Sequence, residues 1–566
     1  MVTGLHILAL SQAEDDLDAN EAPSTIPQLL RKMVAARTDH EAIAMIDESV
    51  SYAELDRRTA RLARALLANG AGKGTRISLL APDGIFYITV LLAATRIGAL
   101  ISLVSTLSKP PELAHILKNS DCQVFIGARR FLRHEYSETL KEALPGLAEG
   151  KHEKLRLTAA PYLRSIWLDD ADGLDWAGSF DDLLARADAP DAPDATLLAA
   201  IEDEVVPSDD AFIIYTSGST SLPKAVVHRQ RALIRKPAVL AEYFGLTADD
   251  RMMPLLPTFW IGGLAMAIKI LGKGGTLVYP KAPSNDVVLP TIEKLRVNKV
   301  NAWGPLHGKL VKAAKEYGLD ADRIWGLGPL RDKQGNVIPP DRAPNLLGMS
   351  ESVSAHSGLP FDTPLPEGKP YSCALPIDDM ERRIVDPATG KEVGTNEVGE
   401  LQIRGPALMK GFYKVDPAKT FTKDGFYPTG DLVRVDADGY LFYVSRMGDM
   451  LKSNGANVSR LEVEGAINVL PGVDVSVVVG LKDPEIGQRI CAAVVPEPGA
   501  ELSEQGIKDA LNKVMSSFKV PKHVIFITSD DIIWTGKDVA AGQKIKRVAM
   551  EPMIAERVGL KEPVAA

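Results

Sequence analysis

The chain has 566 residues, of which 45% are hydrophobic and 25% charged, and its formal net charge is -9. That length exceeds what one compact core serves, so two or more domains are expected, and an acidic balance without a basic tract argues against nucleic acid as the main partner. Three cysteines, Cys122, Cys373 and Cys491, lie far apart without metal-ligand spacing, which points to structural thiols in a reducing compartment.

Residues 1–25 are small and acidic and read as an extension with little core of its own. They lack the basic start and small-residue cleavage site of a signal peptide, so a cytoplasmic protein is expected. Ser51-Tyr52-Ala53-Glu54 forms a capping-box pattern, Leu55, Leu62 and Leu66 follow on one helical face, and Gly70 is a stop. The apolar run from Ile88 to Val104 is interrupted by Arg96 and Gly98, which predicts a buried helix and not a membrane span. Alternation of such helices with strand-like runs, as at Ile77 to Leu80, predicts an α/β layer with a mostly parallel sheet. Between about Arg129 and Asp209 the pattern weakens, and Ala187 to Asp194 reads as a solvated acidic linker.

Ile213-Ile214-Tyr215-Thr216 then reads as a strand entering a loop of hydroxyl and glycine residues, Ser217-Gly218-Ser219-Thr220-Ser221, followed by Leu222-Pro223-Lys224. Hydroxyls donate to phosphate oxygens, Gly218 permits close backbone approach, consecutive N–H groups form an anion-binding concavity, and Lys224 adds a full charge. A polar surface turn is the bland alternative, outweighed by the density of donors. The loop is not a Walker loop, because the Gly72-Lys73 and Gly272-Lys273 pairs are both followed by glycine.

Further segments follow in order: Pro257-Thr258-Phe259-Trp260-Ile261-Gly262-Gly263-Leu264, Gly326-Leu327-Gly328-Pro329, Leu347-Gly348-Met349-Ser350-Glu351, Gly399 to Pro406, Tyr427-Pro428-Thr429-Gly430-Asp431, Ser445-Arg446-Met447-Gly448-Asp449, Lys452 to Val458, and Ala541-Gly542-Gln543-Lys544-Ile545-Lys546. From about Leu461 to Ile527, helical and strand patterns suggest a compact α+β module.

With these segments in this order, the chain resembles the adenylate-forming superfamily, and within it the AMP-dependent acyl-CoA synthetases, over nearly its whole length. The resemblance implies a large N-terminal domain of stacked α/β subdomains with a small β-barrel, residues 26–446, and a small mobile α+β domain, residues 447–566. It implies that a carboxylic acid and MgATP give acyl-AMP and pyrophosphate, and that CoA then takes the acyl group. Residue by residue, it gives ATP binding to Thr216, Ser217, Gly218, Ser219, Thr220, Lys224, Gly328, Leu347, Gly348, Met349, Ser350, Asp431, Arg446 and Lys544. Asp431 would accept both ribose hydroxyls, Glu351 would help hold Mg²⁺, and Thr216 and Lys544 would join Glu351 in catalysis. Lys546 is the competing choice for the catalytic lysine. Gly455 would line the CoA passage, Gly448 or Asp449 would be the hinge, and Trp260, Ile261, Leu264 and Trp303 would shape an apolar acid pocket for a fatty, aryl or polycyclic acid.

The chain departs from the family pattern at Trp260 (usually histidine), Leu347 (usually aromatic), Gly448 (usually aspartate or lysine) and the inserted Gln543. Other outcomes of the same first step stay open, namely β-lactone formation, carrier-protein loading or amide formation, as does a catalytically silent nucleotide-binding relative. Monomer and homodimer are equally open, and no integral membrane segment is expected.

Overall fold

The computed structural model describes residues 23–216, 223–302, 304–377, 380–447, 450–453, 456–483, 485–515, 517–534 and 545–559. Short apolar runs such as Arg76–Leu80, Leu100–Leu103 and Val124–Gly127 become strands buried on both faces, as expected where helices cover a parallel sheet. They lie inside an eight-stranded sheet of order 411–412, 224–229, 210–216, 100–103, 76–80, 124–127, 165–168, 178–179. Its pairs are parallel from 210–216 onward and antiparallel at the other end, where 210–216 meets 224–229 and 224–229 meets 411–412. A second sheet, of order 299–301, 251–254, 276–278, 41–44, 49–51, is parallel but for its last pair.

Helices pack on both sheets. Ser51 caps Tyr52–Ala68 by accepting from the Glu54 N–H, as the capping pattern predicts, and the helix buries Leu55, Leu62 and Leu66. Ile85–Arg96 is buried along almost its whole length, and no described helix is long and apolar enough to cross a membrane. Its charge, Arg96, is paired inside the protein. Its guanidinium donates to Asp56 (2.7 Å) and Thr59 (2.8 Å) and to Glu202 from the helix Ala195–Asp203.

One expectation for residues 129–209 is corrected. Regular elements do occur there, including the helix Tyr136–Ala143 and the buried strand Ser165–Leu168. A four-residue strand in polar surroundings is too short for any periodicity to reveal. The stretch from Ala187 to Asp194 is largely exposed, as expected of a solvated acidic linker, but its ends are held: Ala187 is buried, its carbonyl accepts from Arg64 (2.8 Å), and Asp194 caps the following helix.

A third layer is antiparallel. Leu347–Met349, Ser354–Gly358 and Leu375–Pro376 form one sheet, and Glu381–Val385, Gly399–Arg404, Tyr427–Val435 and Leu441–Arg446 another. They join where the Leu441 N–H donates to the Ala374 carbonyl (3.0 Å) and the Cys373 N–H to the Leu441 carbonyl (2.8 Å). After Arg446, Met450–Ser453, Ala456–Ser459, Val473–Asp483, Gly487–Pro496 and His523–Phe526 form one sheet, with hydrophobic clusters of their own. This is the expected α/β plus α+β fold class. All three cysteines are buried free thiols.

Removing one partner of a buried pair strands the other charge, at about 3–5 kcal/mol. We therefore expect Arg96→Leu to lower stability by about that amount, and Arg96→Leu combined with Glu202→Leu to recover most of it. Denaturant unfolding of the three proteins measures this; equal stability of wild type and the single variant would contradict it.

Candidate active site

The antiparallel pairing of Asp210–Thr216 with Lys224–Arg229 sets Thr216 directly opposite Lys224. The two strands that flank the hydroxyl-rich segment are thereby fixed at neighbouring positions. Ser217, Gly218, Ser219 and Thr220 themselves lie outside the described residues. Thr216 is half-buried and Lys224 exposed, with its Nζ 5.3 Å from the centroid of the Phe412 ring.

From Lys224 a chain of contacts leads to Glu351. Phe412 meets the Tyr427 ring edge-on, with centroids 6.4 Å apart, and the Tyr427 hydroxyl donates to Glu351 Oε1 (3.3 Å). The Glu351 carbonyl accepts from the Met409 N–H (2.7 Å). Burial, then the Glu351 charge, push the Tyr427 phenol well above its ordinary value, so it stays a donor. His228, one position before the end of the hairpin's second strand and in register with Phe212, bonds through Nε2 to the Ser350 carbonyl (2.7 Å). A carbonyl only accepts, so Nε2 carries the proton. Burial lowers the His228 pKa to about 4, which keeps the ring neutral at pH 7.

The backbone around Glu351 is constrained. Leu347–Met349 pairs with Ser354–Gly358, and the tight connection puts the buried Val353 at φ 50° and Ser354 at φ 89°. A β-branched residue in the left-handed region is strained, and such strain gathers at functional turns. A Cβ at Gly348 would run into the Ser354 carbonyl, and one at Gly326 (φ 87°) into that of Val300. Both segments need glycine for close approach. Gly328 is half-buried beside them, as are Leu347, Met349 and Ser350.

Asp431 and Arg446 face each other across Tyr427–Val435 and Leu441–Arg446. Arg446 Nε lies 3.1 Å from Asp431 Oδ1, and its Nη1 donates to the Thr429 carbonyl (2.7 Å). The Asp431 side chain is buried while Arg446 is half-exposed. Thr429 Oγ1 accepts from the Asp431 N–H (3.1 Å), and Glu400 accepts from the Gly430 N–H (3.1 Å).

The acid-pocket candidates separate. Trp260 is half-buried, caps the helix Ile261–Lys273 and meets Phe259 edge-on at 5.4 Å; Ile261 is buried, and Leu264 belongs wholly to the main core. Trp303 lies outside the described residues, as do Gly448, Asp449, Gly455 and Lys544. Near the end of the chain, Ile545 pairs with Trp534 and the Lys546 N–H donates to the Ile533 carbonyl (2.7 Å). Beside Phe259 a cavity of about 390 Å³ opens, lined by Asp83, Phe131, Arg133, His134, Pro257 and Tyr279 among others. Its buried Asp83 carboxylate accepts from the Thr258 N–H (3.1 Å), and burial raises its pKa to about 6. The sequence reading did not single out Asp83, Tyr427 or His228; for Tyr427 a signal existed, since it opens the Tyr-Pro-Thr-Gly-Asp segment. Among the described residues no three His, Cys, Asp or Glu side chains converge on one metal position.

Comparison with known proteins follows the same geography. Residues 30–413 match the AMP-binding enzyme family and residues 462–537 the AMP-binding enzyme C-terminal domain. The chain is 30% identical over 511 residues to a feruloyl-CoA synthase of Amycolatopsis sp, covering 88% of this chain and 94% of that one. It is 27% identical over 513 residues to peroxisomal OPC-8:0-CoA ligase 1 of Arabidopsis thaliana, covering 88% and 89%. Its fold matches ATP-bound MatB from Rhodopseudomonas palustris with a TM-score of 0.73 at 22% identity, over 94% of this chain and 99% of that one.

The low pKa of His228 has a stability consequence. The unfolded chain protonates this ring below pH 6.5 while the folded chain resists until about 4, so stability falls as pH falls through that window and levels off below it. The loss from this residue is about 3 kcal/mol. His356, buried and held at about 3, adds a slope of the same sign. We expect His228→Gln to remove its share of the decline in thermal melting between pH 6.5 and 4; an unchanged slope would contradict this.

Proposed function

The chain belongs to the AMP-binding enzyme family and is an AMP-forming acid–CoA ligase; on that premise we propose that the site around Glu351 makes an acyl-AMP and that CoA then takes the acyl group. The observation that carries this reading is the convergence of the hairpin with Lys224, the turn with Glu351, and the strand that bears Tyr427 and Asp431.

In the first step a carboxylate oxygen attacks the α-phosphorus of ATP and pyrophosphate leaves. Negative charge accumulates on phosphate oxygens, and positioned donors and cations lower the barrier most. Thr216, the loop Ser217 to Thr220 and Lys224 supply donors at the hairpin tip, and Lys544 supplies a second cation. Leu347, Gly348, Met349 and Ser350 with Gly328 offer the adenine a backbone edge, and Gly326 and Gly348 let these segments pack closely on the Val300 and Ser354 carbonyls. Asp431 accepts the two ribose hydroxyls with its two oxygens, oriented by Arg446. Tyr427 engages one oxygen of Glu351, and the half-buried carboxylate fits a magnesium ion, which takes one or two carboxylates together with phosphate oxygens. Magnesium bound there supplies neutralising charge for the phosphates. In the second step the CoA thiol attacks the acyl carbon and AMP leaves. The domain after Arg446 would turn about Gly448 or Asp449, withdrawing Lys544 and bringing Gly455 to the thiol's path. The apolar helix that starts at Ile261 favours an acid with a hydrophobic body.

The half-reactions separate these roles. Loss of a transition-state donor typically costs about 10²–10³-fold, so Lys544→Ala should slow acid-dependent pyrophosphate exchange at least about a hundredfold and spare thioester formation from supplied acyl-AMP. Equal loss of both halves would contradict this, and the same pattern from Lys546→Ala instead would move the role to Lys546. Gly448→Pro should block thioester formation alone; unchanged CoA-dependent turnover would place the hinge elsewhere.

A further inference from the structure

The helix Ile261–Lys273 carries a charge that the proposed chemistry does not use. Ala265 and Met266 lie three and four residues after Gly262 and four and three before Lys269, so the four share a face. Gly262 is half-buried, at the end next to Trp260, and the others are buried. Lys269, flanked by Ile268 and Ile270, is 3% exposed. Its Nζ lies 3.9 Å from the centroid of the Phe244 ring. Phe244, Trp325 and Phe361 form a cluster with centroids 4.9–5.4 Å apart.

Other lysines of this region are satisfied. Lys236, wholly buried, donates to the Ile377 carbonyl (3.0 Å), and Lys299 donates to the Gly245 carbonyl (2.8 Å) and lies 3.6 Å from Asp250. For Lys269 no carboxylate or hydrogen-bond acceptor is recorded among the described residues; burial alone acts on it and lowers its pKa to about 7. An isolated buried ammonium costs several kcal/mol, so an amine kept there without a partner invites one from outside the chain. Along the chain, the surroundings of Lys269 adjoin the segments that carry the candidate site. Trp325 directly precedes Gly326, Phe244 ends the helix that follows the strand of Lys224 and His228, and the Phe361 N–H donates to the Tyr243 carbonyl (2.9 Å). At 1.5 Å per residue, Lys269 stands roughly 12 Å along its helix from Ile261.

We propose that Lys269 is a specificity-determining residue which recognises a second carboxylate, at the far end of the acid, so that the substrate class is dicarboxylic acids with an apolar or aromatic body. This rests on the reading that the helix from Ile261 lines the acid pocket. The three rings take the body of the acid, and the amine takes its distal charge. A carboxylate beside the amine favours the ammonium and gains a charge-assisted hydrogen bond in a dry environment. An acid that ends in a methyl group leaves the amine unpaired, and that difference sets the selectivity.

The test uses the full chain, MgATP and pairs of acids of matched length, one ending in a carboxylate and one in a methyl group, with alkyl and aryl bodies. AMP release and the shift in melting temperature with each acid are read for wild type, Lys269→Met and Lys269→Arg. A charge-assisted hydrogen bond corresponds to about a tenfold to a hundredfold difference in binding. We expect wild type to prefer the dicarboxylic member by that factor through KM and not kcat, Lys269→Met to lose the preference, and Lys269→Arg to keep part of it. Equal handling of the two members by wild type, or a preference unchanged in Lys269→Met, would overturn the proposal. A Lys269-dependent melting shift without AMP release would uphold the anion site and sink the ligase reading, and neither signal with any acid would overturn both.

Discussion

The site depends on one tertiary link, the hydroxyl of Tyr427 held against the Glu351 carboxylate. Tyr427 stands on the strand that also carries Asp431, and it packs against Phe412, over which Lys224 lies. A single tyrosine thus ties the edge of the eight-stranded sheet, the turn after Leu347 and the antiparallel layer into one place. Together with the His228–Ser350 and Met409–Glu351 bonds it holds three groups suited to phosphate, magnesium and ribose in one place.

Rigidity beneath the link comes from groups that stay uncharged or paired. His228 is held neutral by burial and spends its one proton on the Ser350 carbonyl, which fixes the turn from behind without adding charge near phosphate. Asp431 is anchored through its carboxylate by Arg446 and through its backbone N–H by the Thr429 hydroxyl. Lys269 is a buried amine against a ring, with no acid beside it among the described residues.

Much of the fold was legible in the sequence, and the segments expected to touch small ligands stood out because they are short and local. The hairpin tip, the Gly348 turn and the Thr429-Gly430-Asp431 bend each announce themselves by glycine and hydroxyl residues within a few positions. The helix Tyr52–Ala68 was equally plain, since its cap and its leucine spacing are local signals. The Tyr427–Glu351 contact joins residues 76 apart and leaves no local pattern, and the His228–Ser350 bond spans 122. Ser165–Leu168 was hidden by its brevity, and the anchoring of the linker before Asp194 by an acidic composition that masks the buried Ala187. Lys269 stands between two isoleucines in an apolar helix, where sequence alone cannot distinguish a snorkelling lysine from a buried one.

The central claim is that these converging groups activate a carboxylic acid as its adenylate and deliver it to CoA. Mass spectrometry of a reaction containing the purified protein, MgATP, CoA and a pool of carboxylic acids tests it most directly. AMP appearing together with a new acyl-CoA mass is the predicted result, whereas AMP or acyl-AMP without a thioester, or no AMP with any acid, would contradict it.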